Sequence, residues 1–271
     1  MNIYIRIYFK LYYLLANFIL TKESVILPPG YLDKKNIFIY FDYEREFGGN
    51  NIFISDKDII YILDILDQYN IKTTWFTIGK IFEHYPETIK EIIKRGHEVG
   101  SHSYMHRAPV KTLNYQVRRD FEDFKKVSEK YVNVKGFHSP NGKWDLSMLK
   151  HLKRQGFLYD VIYQRNDENE NISFIGLWCK KWLLRFYTLG DDWALLYRDN
   201  LNKEEAFDHF LSLYSKLKPG KLRGIGFHPW VLFTNDSILE GFKMFLQYLS
   251  QQNSINIHRA EFYAIMCLKE R

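Results

Sequence analysis

The chain has 271 residues, 46% of them hydrophobic and 26% charged, a composition that excludes a disordered protein and supplies a core for one large α/β domain or two small ones. Its 38 basic and 32 acidic residues are interspersed for a net charge of +6, with no recognition motif, which argues against a nucleic-acid partner and is compatible with an anionic membrane or polymer. Two cysteines, Cys179 and Cys267, form no CxxC, so a disulfide scaffold is excluded and inert thiols in a reducing, cytoplasmic setting are expected.

Residues 1–20 are strongly apolar, interrupted by Arg6 and Lys10. The uncharged run 11–21 is too short to cross a bilayer as a helix. A positive start and an apolar middle resemble a signal peptide, but no small-residue cleavage site follows. Two readings stay open: an anchor giving peripheral membrane association, or a helix covering one end of the domain. The break LPPG at 27–30 separates this segment, 1–30, from a single catalytic domain over 31–271.

Residues 36–41 (NIFIYF) read as a buried strand. A helix is predicted over 55–69, capped by Ser55 or Asp56, with Ile59, Ile60, Leu63 and Leu66 at helical spacing. Strand 72–78, helix 86–95 and strand 97–100 follow, then helix 114–131, strand 134–138 and helix 145–155. Strands are predicted at 158–162, 182–188 and 224–227, and long helices at 204–217 and 237–252. Alternating strands and helices predict an α/β protein with a mainly parallel sheet. About seven repeats suggest a barrel, whose chemistry gathers at the C-terminal ends of the strands.

Polar clusters fall at those ends: Asp42 and Glu44, His102 and His106, residues 138–142 (HSPNG), Asp191–Asp192–Trp193, and His228–Pro229–Trp230. His102 and His106 are four apart, so a helical turn would present both imidazoles to one cation. Glu44 is a candidate third ligand, completing the two-imidazole, one-carboxylate set of hydrolytic zinc sites. Asp42, two residues earlier in an extended stretch, would project to the same side as a base. His228 suits a general acid, with Asp191 or Asp192 to orient it and raise its pKa. Trp193 and Trp230 would wall the pocket.

In this order these residues resemble the polysaccharide deacetylases, carbohydrate esterase family 4. The stretch 41–44 (FDYE) resembles a one-residue-spaced variant of the first motif, and 96–106 (GHEVGSHSYMH) matches the second closely. Residues 137–142, Asp191–Asp192–Trp193 and 227–229 correspond to the remaining three. The resemblance implies a distorted (β/α)7 barrel with a divalent metal, usually zinc. It assigns Asp42 as base, Glu44, His102 and His106 as metal ligands, His228 as acid, and the Asn141 amide as oxyanion donor. It places His138 and Pro140 with Trp193 and Trp230 at the substrate. The spacing is most similar to the atypical peptidoglycan deacetylase and allantoinase-like branch.

Two departures stand out. His138 occupies the position of an arginine that pairs with the base, which leaves Asp42 with less charge support. Glu44 replaces an aspartate, and its longer arm must still reach the metal. The expected reaction is removal of an N-acetyl group from an amino sugar in a polysaccharide or glycolipid. The alternatives are a small non-sugar amide as substrate, or a catalytically impaired carbohydrate-binding member.

Overall fold

The computed structural model describes residues 27–49, 53–107, 114–143, 146–163 and 183–269, with residues 4, 7, 11 and 25 singly. Most of segment 1–30, Cys179 and the expected start of a strand at Trp182 therefore lie outside the described residues. Among the described residues no helix is long and apolar enough to cross a membrane.

Strands β1 (Lys35–Tyr43), β2 (Thr74–Thr77), β3 (Glu98–Ser101), β4 (Gly136–His138), β5 (Tyr159–Tyr163), β6 (Leu184–Thr188) and β7 (Leu222–Phe227) pair in sequence order, all parallel. The sheet closes because β1 pairs with β7 along 36–41 and with β2 along 40–43. This is the (β/α)7 barrel expected from the sequence. One further strand, β8 (Ile255–Ile257), pairs with the first residues of β1, so the edge that β1 shows to β2 is divided between two partners. Only one register pair joins β3 to β4. These two places make the barrel irregular.

Helices fill the crossovers. Helix α1 (Asp56–Gln68) follows β1, and α2 (Gly79–His84) with α3 (Pro86–Lys94) follow β2. Then come α4 (Asn114–Ser128), α5 (Leu146–Arg154), α6 (Lys203–Ser215), α7 (Pro229–Leu232), α8 (Asp236–Ser250) and α9 (Ala260–Lys269). Helix α1 begins where expected. Ser55 caps it and Asp58 reaches back to the Ser55 amide, an arrangement that contributes about 1 kcal/mol. The alternation did not reveal α2, β8 or α9. The first two are too short to show a period, and the 260–269 sequence (AEFYAIMCLK) is apolar on several sides, including the buried Cys267.

Strand periodicity sets the position of the site. In β1 the odd residues Ile37, Ile39, Phe41 and Tyr43 pack outward in the cluster beneath the helices. The even residues Phe38 and Tyr40 pack inward with Phe76, Tyr159, Val161, Leu184 and Phe186. Inward positions filled with rings make the lumen a core rather than a pore. Asp42 is the next inward residue above Phe38 and Tyr40. His102, His138 and His228 continue the same alternation beyond β3, within β4 and beyond β7. Chain pleat therefore delivers four polar groups to one mouth.

Candidate functional site

Glu44, the residue after β1, and His102 and His106, in the loop after β3, form the cluster. The ligand atoms of Glu44, His102 and His106 all lie within 4.8 Å of one another. Glu44 Oε1 stands 2.9 Å from His106 Nε2 and 3.4 Å from His102 Nε2. The expected reason for the His102–His106 approach needs correction. Residues 104–106 form a bend, not a helical turn, with Ser103 at φ 66 and His106 at φ 54. Two left-handed residues fold the loop so that the rings lie 5.1 Å apart.

The donor chemistry fits a divalent cation. His102 Nδ1–H donates to the His138 carbonyl at 2.8 Å, which leaves Nε2 as the lone pair turned to Glu44. A backbone carbonyl fixing the tautomer is the usual support of a ligating histidine. Burial works to raise the Glu44 carboxyl, but the neighbouring His102 and His106 imidazoles, with His228 nearby, outweigh that and keep it well below the usual carboxylate range. Glu44 is therefore an anion facing imidazole nitrogens, an arrangement that a shared cation satisfies.

Asp42 is buried beside this cluster and surrounded by imidazoles. Its Oδ1 lies 3.7 Å from His102 Nδ1, and its Oδ2 lies 3.5 Å from His138 Nε2 and 3.7 Å from His228 Nε2. None of these is a hydrogen bond, and Oδ1 has no hydrogen-bond partner. Burial pushes the carboxyl well above the ordinary value, against the pull of His228, and Glu44 adds to the rise. Such a carboxylate favours taking a proton.

His228 is bound twice to one carboxylate. Its Nδ1 lies 2.7 Å from Asp192 Oδ1, and its amide donates to Asp192 Oδ2 at 2.9 Å. Burial alone would suppress the imidazolium, but Asp192, then Glu44 and Asp42, push its pKa up to about 10. Of the two candidate orienting aspartates the structure selects Asp192. Asp191 accepts instead from the Tyr163 hydroxyl and the Trp193 amide, and its carbonyl faces His209.

His138 is not an exposed substrate contact. It is buried between Tyr40 and Phe76, with ring centroids at 5.1 and 5.5 Å, and it stacks on His102. Its Nδ1–H donates to the Val161 carbonyl, and burial, with the His102 imidazole next, pushes its pKa down to about 3. A neutral ring therefore stands where a guanidinium was expected to support the base. Pro140 is buried and Asn141 exposed in the turn Pro140–Gly142, where Asn141 has φ 57. Trp193, 38% exposed, lies edge-on to His228 and Trp230 at 5.7 and 5.5 Å. Trp230 is more than a wall, because its Nε1–H donates to Glu44 Oε2 at 3.2 Å. No local sequence signal pairs residues so far apart.

The chain is thus a closed parallel (β/α)7 barrel with a carboxylate–imidazole cluster at its C-terminal mouth. Residues 30–159, just under half of the chain, match the polysaccharide deacetylase family. It is 32% identical over 97 residues to a peptidoglycan-N-acetylglucosamine deacetylase of Bacillus cereus, covering 35% of this chain and 46% of the relative. It is 30% identical over 122 residues to a peptidoglycan deacetylase of Helicobacter pylori, covering 43% and 40%. The chain thus spans less than half the length of these curated relatives. A solved Mycobacterium smegmatis structure assigned to the polysaccharide deacetylases superposes with a TM-score of 0.72 at 18% identity, covering 93% and 96%. That likeness concerns the fold.

Proposed function

We propose that the protein is a metal-dependent N-deacetylase that hydrolyses the acetamido group of an amino sugar within a glycan. The observation that carries this reading is the placement of Asp42 within 3.7 Å of His102, His138 and His228, beside the Glu44–His102–His106 cluster. A base, an acid and a cation site share one small volume.

Glu44, His102 and His106 would hold the metal, which supplies a Lewis acid for the amide oxygen and acidifies water. Asp42 takes the proton of the attacking water, a task suited to a carboxylate whose proton affinity burial has raised. Asp192 keeps His228 protonated and directs its Nε2 towards the same point, so His228 gives its proton to the departing amine. The turn Pro140–Gly142 follows β4, and the family resemblance makes the Asn141 amide the oxyanion donor of this reading. Trp193 and Trp230 close one side, limiting water around the acid. The names of the two bacterial relatives support a peptidoglycan-type substrate.

Metal analysis of the purified protein, followed by acetate release from N-acetylglucosamine oligomers, peptidoglycan and glycolipids, tests the proposal. Stoichiometric metal and acetate from at least one glycan are expected. Metal-loaded protein that binds these glycans yet releases no acetate would overturn it.

A further inference from the structure

Glu44 stands at the end of β1, and the residue after it, Arg45, is left-handed with φ 52. A residue with a Cβ keeps that conformation only where its surroundings enforce it. Here they do. The Arg45 side chain is buried, with Nε donating to the Tyr43 hydroxyl at 2.7 Å and Nη2 to Asp56 Oδ1 at 2.5 Å. Its guanidinium lies 3.6 Å from the centroid of the Tyr85 ring. The Tyr43 hydroxyl is shared with Thr88 Oγ1, which donates to the Tyr85 carbonyl. Arg45 therefore ties the turn to the starts of α1 and α3 at once.

The consequence falls on the neighbouring side chain. The chain doubles back after Glu44, so that the Phe47 amide donates to the Glu44 carbonyl at 3.2 Å and Gly48 comes against the Glu44 side chain. From the turn after β7, the strand paired beside β1, the Trp230 indole N–H occupies Glu44 Oε2. Oε1 is left facing His102 and His106.

We propose that Arg45 and Trp230 are positioning residues for Glu44, Arg45 by fixing its backbone turn and Trp230 by occupying Oε2, so that the carboxylate offers one oxygen to a cation. This rests on the metal reading given above. A glutamate on an open loop must freeze its rotatable bonds when it binds, whereas this one is immobilised beforehand. The longer arm that replaces an aspartate then carries little entropic penalty.

The test is the zinc dissociation constant, measured by chelator competition on the metal-stripped full chain. Arg45→Lys keeps the charge but loses the planar fork and the stacking. Trp230→Phe keeps a ring but removes the donor, and it carries the test if Arg45→Lys does not fold. Each is expected to weaken zinc binding about 10–100-fold, the usual effect of removing a group that orients a ligand. In a Glu44→Ala background, where His102 and His106 give the residual affinity, neither change should weaken it further. The proposal is overturned if the folded single variants bind zinc as wild type does, or if they lose the same factor without Glu44. Wild-type protein that binds no zinc overturns the metal reading, and this one with it.

Discussion

The His228 imidazole and the Asp192 carboxylate meet at 2.7 Å, and the same carboxylate also accepts the His228 amide. Asp192 thus fixes the ring, its tautomer and its charge together. Replacing Asp192 by Asn turns an amide NH2 towards Nδ1 and removes the charge that opposes burial. A general acid must be protonated, and a value of about 10 keeps His228 so through neutral pH. In Asp192→Asn the alkaline fall of kcat/KM should move to lower pH, with a loss at neutral pH of roughly a hundredfold or more. An alkaline limb at its wild-type position would remove His228 from the role of acid.

On the proposed reading Asp42 is the base and His102 a metal ligand, and two variants tell these roles apart. Asp42→Asn keeps the size of a side chain that makes no hydrogen bond through Oδ1, so the fold and the metal should be retained while turnover disappears. His102→Ala removes a ligand and should empty the site. Metal content by elemental analysis and acetate release distinguish the two. Full turnover in Asp42→Asn, or full metal in His102→Ala, contradicts the assignment.

Much of this site is legible in the chain because strand pleat is a rule of two. A buried strand over 36–41 was expected, and in it Phe38, Tyr40 and Asp42 share one face, as do the polar residues that end the other strands. What was not legible depends on tertiary contacts. The spacing of His102 and His106 suggested a helical turn, yet two left-handed residues make the approach instead. Arg45 and Gly48 look like an ordinary loop, and the Trp230–Glu44 bond joins residues separated by 186 positions. His138 ends β4 in a slot roofed by rings, and only packing determines that it is neutral.

Glu98 connects pH to stability away from the active site. The carboxyl is buried among the Thr74 hydroxyl at 2.8 Å, the Tyr159 hydroxyl at 2.5 Å and the Glu261 amide at 2.8 Å. Burial outweighs these donors and pushes its pKa from 4.5 to about 7. The folded state therefore binds the proton more tightly than the unfolded chain. The contribution is complete below about pH 4.5 and is lost as pH rises through about 7, by on the order of 3 kcal/mol. Glu98→Gln should gain stability relative to wild type by up to that amount between pH 5 and pH 8, as read from urea unfolding at the two values. Parallel pH dependences in the two proteins would mean that Glu98 is not the titrating group.

Two adjacent glycines separate ligand placement from backbone freedom. A Cβ at Gly48 would stand 2.6 Å from Glu44 Oε2 and 2.8 Å from Glu44 Cβ, so Gly48→Ala must push the ligand out of its cradle. Gly49 has φ 82 with nothing within 4 Å of a built Cβ, so Gly49→Ala strains the backbone and leaves Glu44 untouched. Gly49→Ala should lower unfolding stability by about 1 kcal/mol with zinc affinity near that of wild type. Gly48→Ala should lower stability as well and, unlike Gly49→Ala, weaken zinc about 10–100-fold. Chelator competition and urea unfolding on both variants provide the comparison. If zinc affinity follows the stability loss in both, Glu44 is being disturbed through the loop as a whole rather than by contact with residue 48.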